Sequence, residues 1–314
     1  MTLVPRHSAL YPPQLARLDA APALLYVYGD PVLLHARQLA VVGARDPTPG
    51  GRHDAREFAR ALASAGLIIT SGLARGIDAA AHEGALAAAG RTLAALGSGL
   101  DVLYPPEHRD LAERMLARGG ALVSEFPPGS APRRAHFPRR NRLIGALSCG
   151  TLVIEAAIHS GSLITARWAA RLGRRVFAVP GSIHNPLSRG CHALLRAGAR
   201  LVESPADVLA GLDLPYVNQS PAPSGVAPES GATRPPALDK DFEILLDALG
   251  FEPLSIDALA DRTGLPSPNL ASMLLILELE GRIGLHAGGR YSRLHKVLEG
   301  TPRGGDEGDG KYSF

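Results

Sequence analysis

Lysine is almost missing from this chain. Of its 33 basic residues only Lys240, Lys296 and Lys311 are lysines, which leaves 30 arginines. No G-x-x-x-x-G-K-[ST] loop occurs, and nothing else could reach β- and γ-phosphates from such a loop, so a P-loop ATPase is excluded. Cysteine is scarcer still. Cys149 and Cys191 lie 42 positions apart with no CxxC pairing, and read as small buried apolar residues rather than redox or metal groups. No apolar run approaches the ~20 residues needed to cross a bilayer, so no membrane span is expected. The opening MTLVPRHSALYPPQ lacks the continuous apolar stretch of an export signal, which favours the cytoplasm. There is no G-x-S-x-G elbow, no HExxH, no clustered acidic set suited to two metals, and no trusted histidine spacing for a ligand shell. Classical catalysis finds no foothold, and neither a cofactor nor a metal is expected.

The chain has 314 residues, 46% hydrophobic and 20% charged, enough for about two domains at ~150 residues each. The formal net charge is +3 and the pI about 9.0, which permits a polyanionic partner without requiring one. From 24 to 204, short aliphatic runs alternate with Ala-rich amphipathic stretches. The runs lie at 24–29, 38–45, 67–72, 92–99, 121–126, 151–156, 175–181 and 199–204. Nearly continuous apolar runs separated by helical stretches (53–65, 76–89, 108–118, 162–172, 189–197) predict an α/β, Rossmann-like, mostly parallel sheet flanked by helices. Residues 213–238 are rich in proline and are expected to be a linker. Residues 239–295 show three helical patterns and a Gly-tipped hairpin, which predicts a small C-terminal winged-helix-like domain. Residues 296–314 read as a disordered tail and 1–23 as an N-terminal extension, leaving 24–212 as the core.

Several of the strands run straight into glycine-rich loops: Gly43-Ala44-Arg45, Ser71-Gly72 through Gly76, Gly97-Ser98-Gly99, Ser160-Gly161-Ser162 and Pro180-Gly181-Ser182. At the carboxyl edge of a parallel sheet their amides create positive potential suited to phosphate, and all five are expected to converge on one crevice. Gly97-Ser98-Gly99 lacks the third fingerprint glycine and leads to Tyr104-Pro105-Pro106 instead of a helix, which lowers the case for a dinucleotide. Residues 133–142, RRAHFPRRNR, gather five arginines around Phe137. Arginine grips phosphate in two-pronged fashion and an aromatic ring offers a stacking face, a pairing that suits single-stranded nucleic acid; a solvated basic loop is the plainer alternative. Asn141 either reads the nucleic acid or caps a helix starting at Arg142. Asp78 and His82, one helical turn apart, suggest a hydrolytic site with Ser71, although Asp78 near a helix N-terminus more simply closes the turn. Glu155, at the end of an aliphatic run, is expected near the arginines as an ion-paired organiser, with general base or nucleophile as the alternative.

These motifs, in this order, resemble the DNA-processing protein A (DprA/Smf) family: VVGARDPTPGG, TSGLARGIDAAAHEGAL, TLAALGSGLDVLYPPEH, LVSEFPPG, FPRRNRLIGALS, LVIEAAIHSGSLITARWA, VFAVPGSI and GCHALLRAGA. The resemblance spans about residues 24–212. It implies a non-catalytic, single-stranded-DNA-binding recombination mediator, a homodimer through the core, that protects incoming strands and loads the RecA recombinase during natural transformation. By position it implies DNA contacts from Arg45, Phe137, Arg140 and Asn141, with Arg139 and Arg142 as phosphate contacts; Gly43, Ser71, Gly72 and Ser162 complete the expected binding set. The sequence departs from the family pattern at Ala44, where Ser or Thr is usual, and at His192, where Asn is usual. The helical domain that opens many members has room here only as a remnant. The winged-helix module of the family is also resembled, but SPNLASMLLILELEG carries Glu278 and Glu280 and no basic residue before Arg282, which points to protein contacts or dimer support rather than groove reading. A second resemblance, to lysine-decarboxylase-like phosphoribohydrolases, rests on CGTLVIE (149–155). That alternative is a nucleotide-processing hydrolase; its first glycine pair is missing and its Glu falls one residue late, which would turn it to the other face of a strand.

Overall fold

The computed structural model describes residues 1–215, 240–251 and 253–294. The proposed linker, apart from 213–215, and the tail 296–314 lie outside the described residues. The first unit is built on nine strands: β1 (Thr2–Pro5), β2 (Leu24–Gly29), β3 (Gln38–Gly43), β4 (Ile68–Ser71), β5 (Thr92–Leu96), β6 (Ala121–Ser124), β7 (Gly150–Ile154), β8 (Arg175–Ala178) and β9 (Arg200–Leu201). They form one sheet in the order β1-β2-β6-β5-β4-β3-β7-β8-β9. From β6 to β9 every neighbour pair is parallel, while β1 and β2 join antiparallel at one edge. The mostly parallel α/β class read from the aliphatic runs is what the chain adopts.

Helices cover both faces: α1 (Pro49–Ser64), α2 (Ile77–Ala87), α3 (Arg109–Ala117), α4 (His136–Leu147), α5 (Ser162–Arg171), α6 (Arg189–Arg196) and α7 (Pro205–Gly211). Strand alternation divides the core. Leu39, Val41 and Ile69 meet Phe58, Leu62 and Ile77 on one side. Ala40, Val42 and Val153 meet Leu143, Ile144 and Leu163 on the other. Both faces of each central strand are thus apolar, which is why the runs lack an alternating pattern. Each fully buried Leu, Ile or Phe stabilises the fold by about 1.5–3 kcal/mol.

Residues 1–23 belong to this core rather than standing apart. β1 pairs with β2, and Val4, Tyr11, Leu15 and Leu18 are buried against Leu25, Leu33 and Leu34. The four-residue TLVP is too short to announce itself, and only its pairing with β2 makes it a strand.

The second unit comprises α8 (Lys240–Leu249), β10 (Leu254–Ser255), α9 (Ile256–Thr263), α10 (Ser267–Leu279), β11 (Ile283–His286) and β12 (Arg290–Arg293). Three helices and a three-stranded sheet, ordered β10-β12-β11, make the expected winged helix. Leu245, Leu249, Leu259, Leu270, Leu274 and Leu277 form its separate core. Gly264, at φ +70°, ends α9 in the left-handed conformation that glycine adopts without strain. No described helix is long and apolar enough to cross a membrane.

Candidate nucleic-acid interface

In the sheet order the chain turns back between β3 and β7. One neighbour of β3 is reached through α1, and the neighbour of β7 through α5, on opposite sides. Their carboxyl ends therefore splay apart, the place where open parallel sheets take ligands. A cleft of about 690 Å³ opens there, lined by Gly43, Arg45, Ala74, Tyr104, Arg134, Phe137 and residues 160–162 among others. A smaller cavity of about 250 Å³ adjoins it, adding Gly72, Arg75, Gly97 and Pro106, and sharing Arg45, Tyr104, Phe137 and Arg140. Four of the five glycine loops converge as expected. The fifth does not: Gly181 and Ser182 line a separate cleft beyond Glu155, because β8 lies on the far side of β7.

The arginine-rich stretch is helical, which changes what its members do. Pro138 stands in the first turn of α4, where a missing N–H costs nothing, so the helix begins at His136 rather than after Asn141. Asn141 accordingly caps nothing. Its amide donates to the Gly161 carbonyl at 3.0 Å and its oxygen accepts from Arg140 Nε at 2.9 Å, tying α4 to the loop before α5. Helical spacing puts Phe137, Arg140, Asn141 and Ile144 on the face that lines the cleft, and turns Arg139 and Arg142 away from it.

Arg142 was expected to hold a phosphate; it is instead an internal support. Its guanidinium donates to Glu125 at 2.5 Å and to the Ala20 carbonyl, and both charged side chains are under a tenth exposed. A buried charge so satisfied has little left to offer a ligand. Arg139 is exposed but also engaged, 3.1 Å from Glu125 and stacked on Phe126 with its guanidinium carbon 5.3 Å from the ring centroid. Arg140 is only 4% exposed. It donates to the Ala95 carbonyl at 2.6 Å and to that of Gly72, and a Cβ at Gly72 would overlap its guanidinium. Burial lowers its pKa to about 10, with Arg45 pushing the same way and Asp78 opposing, so it stays charged at neutral pH.

Ser71 is wholly buried and donates to the Val41 carbonyl at 2.6 Å. Asp78 accepts from the Gly72 and Ala74 amides at 3.1 and 3.4 Å, closing the loop as the plainer reading held. Burial raises its pKa against the pull of Arg140. His82 lies in the interior, where Nδ1 meets the Thr92 hydroxyl at 2.7 Å while that hydroxyl donates to the Ile69 carbonyl, so Nδ1 carries the proton. Burial chiefly lowers its pKa to about 3. These three residues do not assemble a hydrolytic site. Gly43 has no space for a Cβ against Ile154, and Ser162, near the start of α5, shares a 2.7 Å hydrogen bond with Ser160 at the cleft wall.

What faces solvent in the cleft is Arg45, Arg75 and Arg134, none within ion-pairing distance of a described carboxylate. Arg45 sits over the Phe137 ring at 5.4 Å, and Tyr104 flanks the same ring at 5.8 Å. Gly97 lets that ring approach, since a Cβ there would stand 3.0 Å from it. Arg75, Arg134 and Tyr104 were not among the expected contacts. The available signal for Arg75 was a lone basic residue in a strand-to-helix loop.

Glu155 is not paired with the arginines. It sits at φ +46°, accepting from the Thr48 amide at 2.7 Å and the Thr48 hydroxyl at 2.5 Å, and so anchors the start of α1. A cleft of about 380 Å³ runs from it to the wing residues His286, Arg290 and Arg293. There Asp54 has its pKa raised to about 7, by burial first and by Glu155 second.

Fold and site together define a class: a two-unit protein whose parallel sheet presents an unpaired, arginine-rimmed and aromatic-floored cleft at its topological switch point. The sequence model described as DNA recombination-mediator protein A matches residues 2–213, and that described as DprA winged helix domain matches 228–289. The chain is 45% identical over 297 residues to Protein Smf of Escherichia coli, covering 94% of this chain and 78% of that one. It is 45% identical over 200 residues to the DNA processing protein DprA of Streptococcus pneumoniae, covering 64% and 70%. The solved structure of the S. pneumoniae protein superposes with a TM-score of 0.63 at 43% identity, over 67% of this chain and 73% of that one. A structure of DNA processing protein A from Helicobacter pylori, whose subject is that protein's single-stranded DNA binding mode, gives a TM-score of 0.60 at 30% identity over 68% and 96%. This chain belongs to the DNA recombination-mediator protein A family.

Proposed function

We propose that the chain binds single-stranded DNA, without cutting it, in the cleft between the loops after β3 and β4 and the first turns of α4 and α5. The observation that carries this reading is Arg45 lying over Phe137 with no carboxylate to neutralise it. A guanidinium free to take a phosphate beside a ring free to take a base is the combination by which unpaired strands are held irrespective of sequence. Arg75 and Arg134 extend the charge along both cavities, Gly43 lines the cleft, and Gly72 leaves room for the Arg140 guanidinium beside it. Ser162 and Asn141 line the α5 wall. Arg140 acts one step back: by joining the carbonyls of Gly72 and Ala95 to α4, it fixes the spacing between the β4 loop and Phe137. Arg139 contributes at the rim.

Family membership and the H. pylori neighbour support the same assignment. Within it, the chain would shield incoming strands and pass them to the RecA recombinase in the cytoplasm during natural transformation, as a homodimer built on the core. The short edge strand β9, with Leu201 exposed, supports such a pairing surface. Filter binding with oligo-dT, mixed-sequence single strands and duplex of equal length tests the binding reading. Comparable affinity for the two single strands and weaker duplex binding is the expected result; indifference to all three contradicts it. RecA-driven strand exchange on coated single strands, with and without the protein, tests the mediator role.

A further inference from the structure

We propose that the winged-helix unit pairs with the same unit of a second copy through an antiparallel contact of α10. This helix is apolar on two sides. Leu270, Met273, Leu274 and Leu277 fill the unit's own core. Leu275, Ile276 and Leu279, with Ala271 in line one turn earlier, face solvent, and Leu279 is 80% exposed. One apolar stripe suffices to hold a helix on its domain, so the second is a surface waiting for a partner. In a winged helix this third helix is the one placed to enter a DNA groove, yet it has no basic residue from 267 to 281, which excludes a polyanion as its occupant.

Charge along the helix selects a second copy. At its start, Pro266, Ser267, Pro268 and Asn269 bring neither charge nor a side-chain cap, leaving the positive end of the helix dipole unanswered. At its finish stand Glu278 and Glu280, the unfavourable end for acids; only Glu280 has a cation nearby, Arg282 at 3.8 Å. A two-fold interface must be complementary to itself. Laid antiparallel, each acidic end meets the partner's uncapped start, Leu279 covers the partner's Pro268, and Leu275 meets Ser272 near the axis. The contact is independent of the DNA cleft, and together with a core-mediated dimer it would link dimers in series along a bound strand.

The test uses the full chain. In Leu275→Glu/Leu279→Glu, light-scattering mass at high concentration should fall at least twofold from that of the wild type at equal concentration, while circular dichroism and oligo-dT binding stay unchanged. A short bis-maleimide should join two copies of Ser272→Cys above the wild-type background, and should not join copies of Leu279→Cys, which the antiparallel arrangement holds far apart. Unchanged mass in the double variant overturns the proposal. So does efficient joining of Leu279→Cys, which would mean a parallel contact. Failure of the wild type to bind oligo-dT, with the mass still falling in the double variant, would count against the function proposed above and leave this one standing.

Discussion

The two units of this chain carry opposite charge under one basic pI. Residues 1–215 hold 24 arginines against 16 acidic residues, whereas residues 240–294 hold 5 basic against 8 acidic. The difference goes deeper than the count. In the core some arginines are internal fasteners and others are left free over a cleft; in the winged-helix unit the distinctive surface feature is apolar, on α10. A whole-chain net charge of +3 therefore describes neither unit. What matters for an anionic ligand is which guanidinium groups lack a carboxylate, and that is a property of tertiary structure.

The sharpest way to break the comparison is to show that the core's arginines are interchangeable. Arg142→Ala removes the buried partner of Glu125 and leaves that buried carboxylate only the exposed Arg139, and should cost about 3 kcal/mol of stability, read by urea unfolding. Next in size, Phe137→Ala should weaken oligo-dT binding by about 1–3 kcal/mol with little change in unfolding midpoint, because its ring is only half buried. The core should also show an acid limb. His82 has a folded pKa of about 3 against 6.5 unfolded, so below pH 6.5 the unfolded chain takes up the proton first. Stability is then full above about pH 6.5 and declines toward pH 3, by at most about 1.4 kcal/mol per unit. His82→Asn should flatten that limb in unfolding measured across pH. The smallest effect belongs to the other unit: Arg262→Ala with Arg282→Ala should change oligo-dT affinity by less than about twofold, since exposed charges that do not line the cleft act through screened water.

Most of the fold was legible in sequence because two-sided burial writes itself as unbroken aliphatic runs, and glycines mark the loops between them. β1 escaped because an edge strand of four residues has no such signature. The start of α4 was obscured by Pro138, which reads as a breaker unless it falls in a first turn. Within the site, Phe137 was legible as a ring among arginines, whereas a DNA contact from Arg45 came only from the family resemblance. The place of Arg142 was not legible, because its partner Glu125 lies 17 residues away and only α4's helical phase aims one at the other. The same phase explains why Arg140 lines the cleft yet spends its donors on two carbonyls. Glu155 was misplaced for a similar reason: its partner, Thr48, comes from 107 residues earlier.

The central claim is that Arg45 is a free guanidinium grasping a strand's phosphate. The most direct measurement is fluorescence anisotropy of labelled oligo-dT titrated with the wild type and Arg45→Ala over a range of salt. Loss of one phosphate contact should lower affinity and make the slope of log K against log salt shallower by about 0.7. Identical affinity and slope for the two proteins would contradict the account.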